Sequence, residues 1–341
     1  IFGTKTIIID TTAPTGAITY SAASPYKQNA TVTITATFTE ALTTTPKIAI
    51  SGVSSVTATN MSGSGTTWTY TYTAPAGDGT ETIVFSVGTD AAGNTVTATP
   101  TSGATFTVDN TSPSMIITAS DVSTGSTTND STLALTFITN EATSNFVVTD
   151  IAVTNGSLSS FVSTDDDTYT ATFTPDGDGA TTIDVAAGAY TDAAGNNNTA
   201  ASQFAWTYDG TGPTMTIAST TSGVTDGSTT NDASIALTFT SSEVTTNFVV
   251  TDITVTNGAL SSFAGSGKNY TATFTATADG ATTIDVIAGK FTDAYGNQND
   301  ASNTYNWIQD DTSPTGAITY SAASPYKQNA TATVTATFTE D

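Results

Sequence analysis

Short stretches in which apolar and polar residues alternate recur along the chain, separated by turn-forming residues. In "STLALTF", for example, Leu133, Leu135 and Phe137 share one face while Ser and Thr share the other. A spacing of two residues is typical of a strand with one buried face, and the Asn155-Gly156 pair predicts a tight turn between two strands. Similar alternation occurs at Met115 and Ile117, Ile151 and Val153, Tyr169 to Phe173, Ile183 and Val185, and Phe204 to Tyr208. Because no segment has a convincing helical period, the pattern predicts an all-β chain of Greek-key sandwiches.

Two short motifs return about every hundred residues. Asp-x-Thr-x-Pro begins at Asp10, Asp109, Asp209 and Asp310, and a loop motif, Asp-Ala-(Ala/Tyr)-Gly-Asn, begins at Asp90, Asp192 and Asp293. This period is the usual size of an immunoglobulin-like sandwich, so it predicts tandem immunoglobulin-like β-sandwiches in a linear array. The predicted segments are the last strand of a preceding repeat (1–9), repeat 1 (10–108), repeat 2 (109–208), repeat 3 (209–309) and the start of repeat 4 (310–341).

The two ends of the sequence extend the repeat pattern. Residues 315–331 are identical to residues 15–31, so repeat 4 resembles repeat 1 rather than its immediate neighbours. At the other end, "KTIIIDTTAP" matches "ATFTVDNTSP", the end of repeat 1 and the start of repeat 2. We therefore expect the sequence to be part of a longer array with a three-repeat period.

The motifs at Asp109 and at Asp192, with their copies in register, resemble those of the bacterial immunoglobulin-like (BIg-type) domains of large surface adhesins and biofilm proteins. The resemblance covers essentially the whole chain. It implies secretion, a stalk-like array at the cell surface and calcium at the junctions between domains.

The charge of the chain is strongly unbalanced. Thirty acidic residues face six basic ones, for a net charge of -24. Such a surface repels nucleic acids and anionic lipids, so we expect no nucleic-acid binding. The sequence contains no run of roughly 18 apolar residues, the length needed to span a membrane, so we expect no membrane insertion. The chain has no His and no Cys, which removes the commonest general base and the thiol nucleophile. We therefore expect no enzymatic activity.

The acidic residues have a predicted meeting point in each repeat. In a sandwich of alternating strands, the loops after the second and sixth strands lie at the end where the domain starts, called here the opening pole. The opening pole of repeat 2 should therefore gather Asp109, Glu141, Asp192 and Asn196. The matching residues are Asp10, Glu40, Asp90 and Asn94 in repeat 1, Asp209, Glu243, Asp293 and Asn297 in repeat 3, and Asp310 in repeat 4. Carboxylate and amide oxygens suit Ca²⁺, which takes six to eight of them, so the sequence predicts calcium between repeats.

A second interpretation of the same motifs needs no metal. The Asp of Asp-x-Thr-x-Pro can form an Asx turn, and Asp-Ala-Ala-Gly-Asn can be a tight loop that requires Gly. For the calcium interpretation, the far pole of the preceding repeat, opposite its opening pole, offers Asp78, Asp178 or Asp279 as additional ligands. Both interpretations remain open at this point.

These patterns predict a non-catalytic, extracellular spacer array stiffened by calcium. Its partners would be neighbouring repeats, and a host-surface or glycan ligand would bind through domains outside this sequence. One alternative is a structural subunit of a filament, sheath or surface layer, in which other copies of the chain are partners. Another is a carbohydrate-binding module that uses Tyr26, Tyr326 or Tyr295 beside acidic loops.

Overall fold

The computed structural model describes residues 5–339. Apart from two short 3-10 helices, the regular structure of these residues is β-strand, which confirms the predicted all-β class. The chain forms two compact units that divide between Tyr208 and Asp209. The first unit holds repeats 1 and 2, and the second holds repeat 3 and the start of repeat 4.

Repeat 1 is a sandwich of two sheets. Its strands are β1 (Gly16–Tyr20), β2 (Thr31–Leu42), β3 (Lys47–Ser51), β4 (Ser55–Asn60), β5 (Ser62–Thr73), β6 (Gly79–Ser86) and β7 (Thr105–Val108). One sheet has the order β1-β2-β5 and the other has the order β4-β3-β6-β7. The apolar residues of β2 point into the sandwich, while its threonines face those of β5 on the outer surface, as in the pair Thr35–Thr69.

Repeat 2 has the strand arrangement of an immunoglobulin constant-type domain. Its elements are β8 (Met115–Ala119), β9 (Thr127–Thr128), β10 (Leu133–Thr139), a 3-10 helix (Val148–Asp150), β11 (Ile151–Thr154), β12 (Gly156–Ser163), β13 (Thr168–Pro175), β14 (Gly179–Val185) and β15 (Phe204–Tyr208). One sheet has the order β12-β13-β10-β8 and the other has the order β11-β14-β15-β9. These orders correspond to the ABED and CFG sheets of that fold, with β9 added in parallel to β15.

Repeat 3 follows the same plan. Its elements are β16 (Met215–Ser219), β17 (Thr229–Thr230), β18 (Ser234–Thr245), a 3-10 helix (Val250–Asp252), β19 (Thr254–Val255), β20 (Gly258–Ala276), β21 (Gly280–Asp285) and β22 (Tyr305–Gln309). The sheet orders are β16-β18-β20 and β17-β22-β21-β19. The long β20 covers the stretch of sequence that forms β12 and β13 in repeat 2.

Each complete repeat has its own apolar core between its two sheets. In repeat 2, Phe137 and Phe173 are fully buried, and the ring of Phe173 meets that of Trp206 edge-on at 4.9 Å. The pair Phe274 and Trp307 repeats this contact in repeat 3 at 4.8 Å. Because successive side chains of a strand point to opposite faces, the alternation in the sequence decides which residues enter these cores.

The segments at the two ends are less complete. In repeat 4, β23 (Gly316–Tyr320) and β24 (Val334–Phe338) pair in a two-stranded sheet. Residues 5–9 are in no strand and are exposed, and residues 1–4 lie outside the described residues. The assignment of 1–9 to the last strand of a preceding repeat therefore stays a prediction. Among the described residues, no helix has the length and apolar character to cross a membrane.

Two features of repeat 2 illustrate how the sequence prediction compares with the fold. The turn at Asn155-Gly156 is confirmed: Asn155 has a positive φ of 53°, and its side-chain amide donates to the carbonyl of Gly177 at 2.7 Å. Strand β12, which follows this turn, was not predicted. Its inward residues Leu158 and Phe161 are only partly buried, and a positive φ of 54° at Ser160 interrupts the alternation between them.

Candidate metal centres

Each complete repeat gathers three carboxylates at its opening pole. In each group, one oxygen atom from each residue lies within 4.8 Å of the other two. The groups, called here carboxylate clusters, are Asp10, Glu40 and Asp90 in repeat 1, Asp109, Glu141 and Asp192 in repeat 2, and Asp209, Glu243 and Asp293 in repeat 3. The convergence predicted for these nine residues is present in the fold, and their role as metal ligands stays a prediction.

Three separate parts of the sandwich supply the cluster of repeat 2. Asp109 lies in the linker that leads to β8, Glu141 follows the end of β10, and Asp192 lies within the long loop between β14 and β15. Strands β8 and β10 pair antiparallel, with Met115 opposite Thr139, so the start of one strand lies beside the end of the other. The topology of the first sheet thus brings Asp109 next to Glu141.

The glutamates of the other two clusters lie inside strands rather than after them. Glu40 belongs to β2 and Glu243 to β18, and both strands continue for a few residues beyond the glutamate. The register of each strand with its partner shifts around the glutamate, between Thr37 and Leu42 in repeat 1 and between Thr240 and Thr245 in repeat 3. Such a bulge can re-aim a side chain.

The loop motif is built around its buried aspartate. In repeat 2, Asp192 accepts a hydrogen bond from the backbone nitrogen of Asn196 at 2.8 Å and another from the Asn196 side-chain amide at 2.8 Å. In repeat 3, Asp293 accepts from the backbone nitrogens of Tyr295, Gly296 and Asn297. Gly195 and Gly296 have positive φ angles of 86° and 98°, which favour glycine. The interpretation as a tight loop is therefore confirmed.

The linker aspartates form the turns that the second interpretation predicted. An Oδ1 atom accepts from the backbone nitrogen two residues later at 3.0 Å in both Asp10 and Asp109, and at 3.3 Å in Asp310. Asp10 and Asp109 are also members of their carboxylate clusters. The Asx turn and a cation site are thus compatible, because the turn occupies one oxygen of a carboxylate that has two.

The asparagines of the loop motif hold the clusters together from outside. The Nδ2 of Asn196 donates both to Asp192 and to the backbone carbonyl of Asp109 at 2.9 Å. Asn94 joins Asp90 to Asp10 in the same way, and Asn297 does so in repeat 3. The nitrogen of each amide, rather than its oxygen, faces the aspartate, so this geometry favours a positioning role over the predicted ligand role.

Two of the clusters raise the pKa of their glutamate. Burial raises the pKa of Glu141, and the negative charges of Asp109 and Asp192 raise it further. Loss of solvent likewise raises the pKa of Glu40, with Asp10 and Asp90 as neighbouring charges. In repeats 1 and 2 the cluster thus concentrates negative charge to the point that its glutamate is harder to ionise, which is the electrostatic condition that a divalent cation would relieve.

The far pole of repeat 1 contacts the start of repeat 2. Asp78 accepts hydrogen bonds from the backbone nitrogen of Asn110 at 2.5 Å and from the hydroxyl of Thr111 at 2.7 Å. These bonds lower the pKa of Asp78, and its charge also contributes to the raised pKa of Glu141. The cluster of repeat 2 therefore lies at the junction between repeats 1 and 2.

The remaining residues proposed from the sequence are Asp310, as a metal ligand, and three tyrosines, as carbohydrate contacts. No group of three carboxylates within the described residues includes Asp310, so its ligand role stays a prediction. Tyr26 is 4% exposed and packs against Phe106, so the proposal that it contacts a carbohydrate was wrong: a ring in the core cannot stack on a sugar. Tyr295 and Tyr326 are 44% and 42% exposed.

Comparison with known proteins agrees with this architecture of tandem immunoglobulin-like sandwiches. The profile of the bacterial Ig-like domain matches residues 109–208 and 209–308. Because these two matches cover more than half of the chain, the protein belongs to that family. No curated protein sequence matches the chain.

The chain is also similar to solved structures at low sequence identity. Invasin, described as a bacterial integrin-binding protein, is 14% identical, with a TM-score of 0.34 over 80% of this chain and 56% of invasin. InvD of Yersinia pseudotuberculosis is 16% identical, with a TM-score of 0.37 over 87% of this chain and 98% of InvD. The chain thus spans little more than half of the invasin chain.

Proposed function

We propose that the protein is a non-catalytic spacer in an extracellular bacterial adhesin, in which calcium bound at the opening pole of each repeat stiffens the array. The observation that carries this proposal is the recurrence of a three-carboxylate cluster at the same place in repeats 1, 2 and 3. Membership of the bacterial Ig-like family supports the spacer role. A ligand on a host surface or glycan would bind through other domains.

The chemistry of the clusters favours a hard cation. Their side-chain oxygens are the ligands that Ca²⁺ takes, and extracellular calcium modules bind at about 10⁻⁴–10⁻³ M. The net charge of -24 would raise the local concentration of any divalent cation. Ionised carboxylates held in a cluster repel one another, and a bound cation would turn that repulsion into attraction.

Titration calorimetry of the full chain with CaCl₂ tests the proposal. We expect saturable binding at millimolar calcium or below, reduced in amplitude by Asp192→Asn. Asp176→Asn is the matched control, because Asp176 is exposed and belongs to none of the clusters. The proposal would be overturned if the heat of binding does not saturate at a calcium concentration of roughly ten times 10⁻³ M, the weakest dissociation constant of such modules. An equal loss of binding in both variants would overturn it as well.

A second candidate function is that of a structural subunit in a filament or layer. It is favoured by Ile116 and Ile138, which lie opposite each other on the outer face of repeat 2 and are 64% and 42% exposed. Repeat 3 has Thr216 opposite Thr240 at the corresponding place. If the isoleucines mediate lateral contact, the full chain should associate in sedimentation at high concentration, and Ile116→Thr with Ile138→Thr should abolish the association.

A further inference from the structure

We infer that hydrogen bonds that need no metal already restrain the joint between repeats 1 and 2 before any cation binds, and that Lys27 is the residue by which repeat 1 recognises the loop of the following repeat. The Nζ of Lys27 donates to the carbonyl of Gly195 at 2.8 Å. Gly195 belongs to the loop that begins at Asp192. A side chain of repeat 1 thus binds the loop that also supplies the carboxylate cluster of repeat 2.

The backbone that carries Lys27 is firmly anchored. The neighbouring Tyr26 is buried against Phe106 and forms a parallel bridge with Val108 in the last strand of the repeat. The hydroxyl of Tyr26 donates to the carbonyl of Ala22 at 2.7 Å. The backbone at Lys27 is therefore fixed, and only the lysine side chain must become ordered when its ammonium group binds Gly195.

The linker between the two repeats is fixed from the same pole. Asn110 accepts a hydrogen bond from the backbone nitrogen of Gln28 at 2.5 Å and donates to the carbonyl of Gly77 at 2.5 Å. Asp78 accepts from the backbone of Asn110 and the hydroxyl of Thr111. The nitrogen of Asp109 donates to the carbonyl of Tyr26 at 3.0 Å. Three successive linker residues are thus bonded to repeat 1, which leaves little freedom for repeat 2 to swing.

The residues equivalent to Lys27 indicate which repeats can form this contact. The lysine meets a backbone carbonyl of a loop that carries an acidic residue, in a chain with only six basic residues. The parallel pairings place Asn129 of repeat 2 and Asn231 of repeat 3 where Lys27 stands in repeat 1. Repeat 4 repeats the sequence around Lys27 and carries Lys327. Recognition by lysine therefore belongs to repeats of the first type, and its partner is a repeat with an Asp-Ala-Ala-Gly-Asn loop.

Pulsed dipolar spectroscopy on the full chain tests the inference, since the absence of native cysteines allows clean spin labelling. Ala58→Cys in repeat 1 and Ala152→Cys in repeat 2 provide two exposed label sites on strands. In EDTA we expect a narrow distance distribution for the otherwise unchanged chain. Lys27→Ala should broaden it about twofold, and Lys27→Arg, which keeps a charged donor, should broaden it less. Lys47→Ala is the matched control, because it removes the same charge from β3 of repeat 1.

The outcomes separate this inference from the proposed calcium function. A distribution in EDTA that is broad in the chain that keeps Lys27, and that narrows only when calcium is added, overturns the metal-independent joint and leaves calcium stiffening standing. Equally narrow distributions with and without Lys27→Ala overturn the role of Lys27. A narrow distribution that Lys27→Ala broadens, with no further effect of calcium, supports the joint while the calcium proposal fails. Unchanged melting of repeats 1 and 2, followed by the fluorescence of Trp68 and Trp206, will show that Lys27→Ala leaves both repeats folded.

Discussion

Replacing Glu141 with Gln should have opposite effects on repeat 2 with and without calcium. The substitution keeps the shape of the side chain but removes one of three negative charges from the cluster. Without metal, the loss of repulsion should stabilise repeat 2. With calcium, the loss of a ligand should reduce the stabilisation that the ion provides.

The magnitude follows from the geometry of the cluster. Two unit charges at the 4.8 Å limit of the cluster repel by about 0.9 kcal/mol in a medium with the dielectric constant of water. Glu141 takes part in two such pairs, and screening at physiological salt, with a Debye length of about 8 Å, leaves roughly 1 kcal/mol. In a domain of this size, that should raise the melting temperature by about 4–8 °C.

The tryptophans allow this change to be assigned to one repeat. The chain has three of them, and each complete repeat buries one: Trp68, Trp206 and Trp307. In a chain with Trp68→Phe and Trp307→Phe, the fluorescence of Trp206 reports the melting of repeat 2 alone. Melting curves in EDTA and in calcium, with and without Glu141→Gln, give both effects.

Two control variants define the result that would refute this reasoning. Glu243→Gln alters the cluster of repeat 3, and Asp176→Asn removes a charge from repeat 2 outside its cluster, so neither should reproduce the full rise in EDTA. If Glu141→Gln leaves the metal-free melting temperature unchanged or lowers it, the carboxylates do not repel as proposed. If the calcium response survives intact, Glu141 is not a ligand.

Three further predictions concern pH and packing. Burial and neighbouring charge raise the pKa of Glu141 in the folded protein above its ordinary value of 4.5. The contribution of Glu141 to stability is therefore present below pH 4.5 and lost as the pH rises through its pKa in the folded protein. In EDTA, the melting temperature reported by Trp206 should be higher near roughly pH 5 than at neutral pH, and Glu141→Gln should reduce the difference. Gly156→Ala would place a Cβ 2.2 Å from Phe173, whereas a Cβ at Gly177 meets nothing, so chemical denaturation should show a loss of about 1–3 kcal/mol for Gly156→Ala and a much smaller change for Gly177→Ala. The hydroxyl of Tyr190 is buried without a hydrogen-bond partner, so Tyr190→Phe should raise the melting temperature of repeat 2, since an unsatisfied buried group costs about 1–3 kcal/mol; a lower melting temperature would contradict that assignment.

Features that depend on local order could be predicted from the sequence. The alternation at Leu133, Leu135 and Phe137 identified a strand because side chains of a strand alternate between its faces. The convergence of Asp109 with Asp192 was also predictable, because a Greek-key topology fixes which loops share a pole. The repeat length of about a hundred residues, typical of immunoglobulin-like sandwiches, indicated that topology.

Features that depend on departures from regular order could not be predicted. Strand β12 was missed because the positive φ at Ser160 breaks its alternation. The contact between Lys27 and Gly195 joins residues far apart in two different repeats, and nothing in either local sequence encodes their proximity. Asp78 was predicted as an additional ligand, but its oxygens bind the linker, which only the geometry of the joint reveals.

Asn196→Ala can separate a residue that positions the cluster from one that binds the ion. The Asn196 amide donates to Asp192 and to the carbonyl of Asp109, so its removal loosens two members of the cluster without changing any charge. Calcium binding measured by calorimetry should weaken, as it should for Glu141→Gln. The metal-free melting temperature reported by Trp206 should fall, however, because the hydrogen bond to a charged group is worth about 1.5–3 kcal/mol, whereas Glu141→Gln should raise it. If both variants shift the metal-free stability in the same direction, the loop does not hold repelling charges together before the ion arrives.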